Sequence, residues 1–146
     1  MYRASSREIH MLHTQVKDFM QRKLPNITPD TEMTTAIAEL QKFKLLGAPV
    51  FDKDKHLVGF ISEHELLKPL MHNSYFCDGM VKVSQLMQTK VVTVSGDTNI
   101  IELAQQMQPG KPKNYPVVEG VKVIGMISRA DVLKALYDNY MSCQTH

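Results

Sequence analysis

Residues Val16 to Val50 recur as Val83 to Val117 at one constant offset and without a gap. Met20 falls on Met87, Asp30-Thr31 on Asp97-Thr98, and Pro49-Val50 on Pro116-Val117. One residue is lost in a turn, after which Gly59 to Leu70, GFISEHELLKPL, matches Gly125 to Leu136, GMISRADVLKAL. A repeat of this length is one supersecondary unit used twice, so any fold for the chain must accommodate two like halves.

Each half carries the same succession of elements. In the first, Leu24 to Ile27 is a short extended segment, and Asp30 or Thr31 can cap a helix whose inner face is Met33, Ala36, Ile37 and Leu40, ending near Gly47. Ala48 to Phe51 and Leu57 to Ile61 flank the polar turn Asp52-Lys53-Asp54-Lys55 and read as an antiparallel hairpin, after which Ser62 opens a helix. In the second, the reading is an extended Val91 to Val94, a helix over Ile100 to Met107, strands over Tyr115 to Val118 and Val121 to Ile127, and a helix over Arg129 to Tyr140. The unit is β-α-β-β-α, and the class is α+β. Each copy has one apolar sheet face and two amphipathic helices, too little to close a core by itself, so the two are expected to pack as one pseudo-twofold module. Ahead of them, Ser5-x-x-Glu8 has the form of a capping box, and Ile9, Leu12, Val16, Phe19 and Met20 recur at helical spacing, predicting an N-terminal amphipathic helix. The organisation is then 1–15 N-terminal helix, 16–72 first repeat, 73–82 connector, 83–140 second repeat and 141–146 tail.

A formal charge of +2 and the lack of any basic block give no track for a phosphate backbone, so nucleic acid is not expected as a partner. No apolar run reaches membrane-spanning length, and the charged, interrupted start does not read as a signal peptide. Cys77 and Cys143 lack the spacing of a zinc or redox site and suit a reducing, cytoplasmic setting. No nucleophile motif, phosphate-binding glycine loop or dinucleotide fingerprint is present, and His10 and His13 have no third ligand implied by spacing. The expectation is a protein that is not an enzyme, with no resident cofactor and no metal.

The succession Val-x-x-Leu-Met, Val-Thr-Val, Asp-Thr before a helix, Tyr-Pro-Val-Val, then Gly-Met-Ile-Ser-Arg-Ala-Asp resembles the cystathionine-β-synthase (CBS) domain, twice over. The resemblance implies a tandem pair, or Bateman module, that commonly dimerises and often binds AMP, ADP, ATP or S-adenosylmethionine as a regulatory ligand in clefts between copies. The family's ligand motif is Gly, two residues, Ser or Thr, two residues, Asp, complete here as Gly125, Ser128 and Asp131. Asp131 can accept from both vicinal ribose hydroxyls, Ser128 stands where a phosphate is favourable, and glycine at 125 allows close approach. The first copy has Gly59 and Ser62 but Glu65 in place of the Asp, a weaker or altered second site, since an added methylene spoils a bidentate bond. The same residues also read as plain helix caps.

By the same resemblance Val92, Thr93 and Val94 would border adenine or ribose, and Tyr115, Pro116 and Val117 would wall it, although for Val92, Val94 and Val117 taken singly core strand packing is the better explanation. Lys111 and Lys113, in the loop Gly110-Lys-Pro-Lys-Asn114, are candidate phosphate contacts. Asp131→Ala is expected to weaken adenosyl-ligand binding by about 1.5–3 kcal/mol with little loss of stability. Two roles stay open: a ligand-sensing module that signals through a homodimer or a protein effector in trans, and a dimerisation or interaction module with no small molecule.

Overall fold

The computed structural model describes residues 14–72 and 80–144. In the first copy, α1 (Met33–Phe43) leads to the antiparallel pair β1 (Gly47–Phe51) and β2 (Leu57–Ser62) and then to α2 (Glu63–Met71). In the second, β3 (Val94–Ser95), α3 (Ile100–Gln106), β4 (Asn114–Glu119), β5 (Lys122–Ser128) and α4 (Arg129–Gln144) follow in the same order. Both hairpins break register at equivalent positions, between Val50 and Phe51 and between Val117 and Val118.

Three expectations are corrected. The copies do not both build three strands: β3 pairs parallel to β4, whereas the first copy keeps only the bond from Phe51 N to Ile27 O at 3.2 Å. The amides that could extend a ladder there are engaged locally, Ile27 N with Pro25 O and Thr28 N with Thr31 Oγ1. Neither Asp30 nor Thr31 caps the helix that follows: Glu32 is the N-cap of α1 and makes no side-chain capping bond. The helix ends near Gly47 as expected, at Lys44, which is left-handed at φ 57°; Gly47 itself lies in β1 with the space for a Cβ blocked by the Phe60 ring. At the other end of the chain α4 continues to Gln144, so the start of the expected tail is helical.

The N-terminal helix is corrected in its later part, while residues 1–13 and the connector residues 73–79 lie outside the described residues. Val16–Asp18 is a single 3-10 turn, because the amides of Val16 and Lys17 bond across the molecule instead of along a helix. Val16 N donates to Thr98 O and Lys17 N to Gly96 O, both at 2.9 Å. The equivalent segment of the second copy, Val83–Gln85, does the same in reverse: Val83 N donates to Thr31 O at 2.8 Å and Ser84 N to Pro29 O at 3.0 Å. Gln21 exchanges both backbone bonds with Met126, and Gln88 exchanges both with Phe60. The hairpin ends join on the pseudo-axis, with Leu57 N to Val121 O at 3.0 Å and Val123 N to Lys55 O at 2.9 Å.

Each copy therefore hands its leading segment to the other. Val16 and Met20 are buried with Val94, Ile100, Leu103, Tyr115, Val117, Ile127, Val132 and Ala135 of the second copy. Val81 and Val83 are buried with Ile27, Met33, Ala36, Leu40, Ala48, Val50, Ile61 and Leu66 of the first. The expected mutual completion of the halves is thus achieved by exchange, and the molecule has two cores instead of one shared core.

Candidate functional site

Where β5 runs into α4 the chain must satisfy the free amides of a new helix. Ser128 and Asp131 do so reciprocally: Ser128 N donates to Asp131 Oδ2 at 2.9 Å, and Asp131 N donates to Ser128 Oγ at 3.1 Å. The capping alternative is therefore real, but it uses one carboxylate oxygen. Asp131 Oδ1 has no hydrogen bond among the described residues, and the half-buried side chain faces a cleft of about 530 Å³. Gln21, Lys44, Lys113, Asn114, Ser128 and Arg129 line that cleft with it.

The equivalent corner of the first copy is closed. Ser62 N and Ser62 Oγ both donate to Glu65 Oε1, at 2.8 and 2.6 Å. The extra methylene carries Oε2 to Gln88, whose Nε2 donates to it at 2.7 Å. Both oxygens of Glu65 are thus occupied, whereas Gln21, the residue equivalent to Gln88, makes no such bond to the shorter Asp131. A second cleft, also about 530 Å³, runs past Ser62, His64, Gln88, Lys90, Val92 and Lys111. Lys113 and Asn114 border both clefts, which therefore adjoin.

The sequence-derived site residues divide accordingly. Ser128, Asp131 and Lys113 come together in one cleft; Ser62, Val92 and Lys111 line the other. Val94, Tyr115 and Val117 are core residues of the second copy, at 7%, 2% and 0% exposure. Pro116 is buried in β4 opposite Met126, and half-buried Thr93 lines neither cleft. Burial pushes the Tyr115 phenol above its ordinary pKa, in keeping with a packing role. At Gly125 a Cβ would meet Gln21 O and Met20 Sδ, both at 2.7 Å, and at Gly59 it would meet Met87 Sδ at 2.6 Å. The crossing segments thus account for both motif glycines without a ligand. Gln21, Lys44, Asn114 and Arg129 were not selected from sequence; the signal available for Gln21 was its alignment with Gln88, one residue after the matched methionines.

Asp52, Asp54 and His56 bring their ligand-type atoms within 4.8 Å of one another at the β1–β2 turn. Asp52 Oδ1 accepts from Asp54 N and His56 N, both at 2.9 Å, so this cluster is the scaffold of the turn. Among the described residues no helix is long and apolar enough to cross a membrane.

Comparison with known proteins converges on one family. Residues 16–72 and 83–138 each match the CBS domain. The structure of CBSX2 from Arabidopsis thaliana in complex with AMP is 29% identical, with a TM-score of 0.74 over 85% of this chain and 96% of that one. The CBS domain pair of MJ0100, solved with 5′-methylthioadenosine and S-adenosyl-L-methionine, is 25% identical, with a TM-score of 0.69 over 84% of this chain and 95% of that one. Homoserine O-acetyltransferase of Methanosphaerula palustris is 27% identical over 85% of this chain, which spans only 24% of that enzyme.

Proposed function

The chain belongs to the CBS domain family, and from that premise we propose that it is a non-catalytic regulatory module that takes an adenosine-containing ligand in the Asp131 cleft. The observation that carries this reading is the contrast between the two corners. Asp131 keeps an uncommitted carboxylate oxygen facing the cleft, while Glu65 has both of its oxygens bonded. A half-buried acceptor in a concave site suits a pair of ribose hydroxyls. Structural relatives holding AMP, or 5′-methylthioadenosine and S-adenosyl-L-methionine, support the ligand class. The second cleft is the weaker or empty one. Isothermal titration of the full chain with AMP, ADP, ATP and S-adenosylmethionine tests the reading. At least one should bind, and Asp131→Ala should weaken it by about 1.5–3 kcal/mol. Unchanged affinity in that variant removes Asp131 from the site.

Signalling proceeds through a homodimer or an effector in trans, in a cytoplasmic setting that suits the exposed free thiol of Cys143. Leu67 and Met71 on α2, and their equivalents Leu133 and Tyr137 on α4, stand 55–69% exposed at i, i+4 spacing. A repeated apolar stripe fits a twofold interface. The same stripe favours the second reading, a dimerisation module without a small molecule, which gains if none of the four compounds binds at millimolar concentration. Light scattering should show a dimer that Leu133→Lys with Tyr137→Lys converts to monomer; a dimer persisting in that variant moves the interface elsewhere.

A further inference from the structure

The charge of the Asp131 cleft narrows the ligand, an inference that rests on the adenosyl-binding reading above. Lys44, Lys113 and Arg129 line the cleft against the single carboxylate of Asp131. None of the three cations has an ion-pair partner among the described residues; the cross-molecule pairs there are Lys17 with Asp97 and Lys82 with Asp30. They arrive from three separate places: Lys44 from the left-handed end of α1, Lys113 from the loop before β4, and Arg129 from the first turn of α4. The bond from Arg129 N to Lys113 O at 2.8 Å fixes two of these backbones side by side. Across the shared wall, Lys90 and Lys111 line the adjoining cleft.

We propose that the ligand is a phosphate-bearing adenosine nucleotide, and that Lys113 and Arg129 select it over uncharged adenosine and over S-adenosylmethionine. Asp131 alone can hold the ribose of any adenosyl compound. Three exposed, unpaired cations around a concave site that holds one carboxylate favour an anionic ligand and disfavour S-adenosylmethionine, whose sulfonium and ammonium together outweigh its carboxylate. A guanidinium and an ammonium at one mouth match the oxygens of a phosphate.

The test is titration of the full chain at a low and at a raised salt concentration with adenosine, AMP, ATP and S-adenosylmethionine, repeated with Lys113→Gln/Arg129→Gln and with Lys122→Gln as a charge control on β5. AMP and ATP should bind at least about tenfold more tightly than adenosine and S-adenosylmethionine, with affinity falling as salt rises. The double variant should bring AMP to within about threefold of adenosine, and Lys122→Gln should leave the preference intact. Adenosine or S-adenosylmethionine binding as tightly as AMP overturns the charge inference while the adenosyl module stands. An AMP preference that survives the double variant overturns the assignment to Lys113 and Arg129. Binding of none of the four overturns this inference and the adenosyl reading together.

Discussion

A methyl group added at Gly125 has no free space, because it would lie 2.7 Å from a backbone oxygen, that of Gln21, which cannot swing aside as a side-chain end can. Gly59 stands in the same relation to Gln88 O at 2.8 Å. Gly125→Ala and Gly59→Ala should each lower stability by about 1–3 kcal/mol, read as a lower urea midpoint at unchanged slope. An unshifted midpoint would mean that the crossing segments are loosely held. The capping bond from Ser128 N also changes one expectation drawn from sequence. Asp131→Ala should reduce stability as well as binding, by about 0.5–2 kcal/mol, the usual range for a lost cap. At the β1–β2 turn, the amides of His56 and Asp54 hold the Asp52 carboxyl below its ordinary value of 3.8. A depressed carboxylate contributes stability above its unfolded pKa and loses it as pH falls through the folded value. The Asp52 carboxyl should therefore titrate by NMR with a midpoint under 3.8, and a midpoint at or above that value would mean the turn does not use its charge.

The two 3-10 turns carry an element-scale consequence. Val16 and Val83 are fully buried, each in the other copy's core. Val16→Ala should cost about 1–3 kcal/mol and speed amide exchange chiefly in α3 and β4, whereas Val83→Ala should do so in α1 and β1. Loss of protection confined to the variant's own copy would contradict the exchange. Sequence made the repeat, both hairpins, the inner face of α1 and the Ser128–Asp131 corner legible, since each depends on spacing within one copy. It could not show which copy buries Val16, because an apolar residue at helical spacing carries no address. Nor could it show that the amides of Ile27 and Thr28 turn to local partners, leaving the first copy a strand short. The assignment of Val94, Tyr115 and Val117 to a ligand wall depended on their resemblance to a family pattern; their burial is what β-branched and aromatic strand residues ordinarily do.

For the whole molecule, two cores that each need the other copy's lead should form one unfolding unit. A fragment of residues 14–72 lacks Val81 and Val83, and a fragment of 80–144 lacks Val16 and Met20. Neither fragment should show a cooperative urea transition alone, and mixing the two should restore one. A fragment that unfolds by itself at the full chain's midpoint would show that the borrowed segment is dispensable. The exchange also sets a timetable for synthesis. Domains ordinarily fold in the order in which they leave the ribosome. Here the first repeat emerges complete in sequence yet with its core open until Val83 follows, and Val16, among the earliest described residues made, waits for Ala135 before its own surroundings exist. Nascent chains halted between the two repeats would present that unfinished apolar surface to whatever is nearby, so this pair of repeats carries the chaperone exposure of a larger fold.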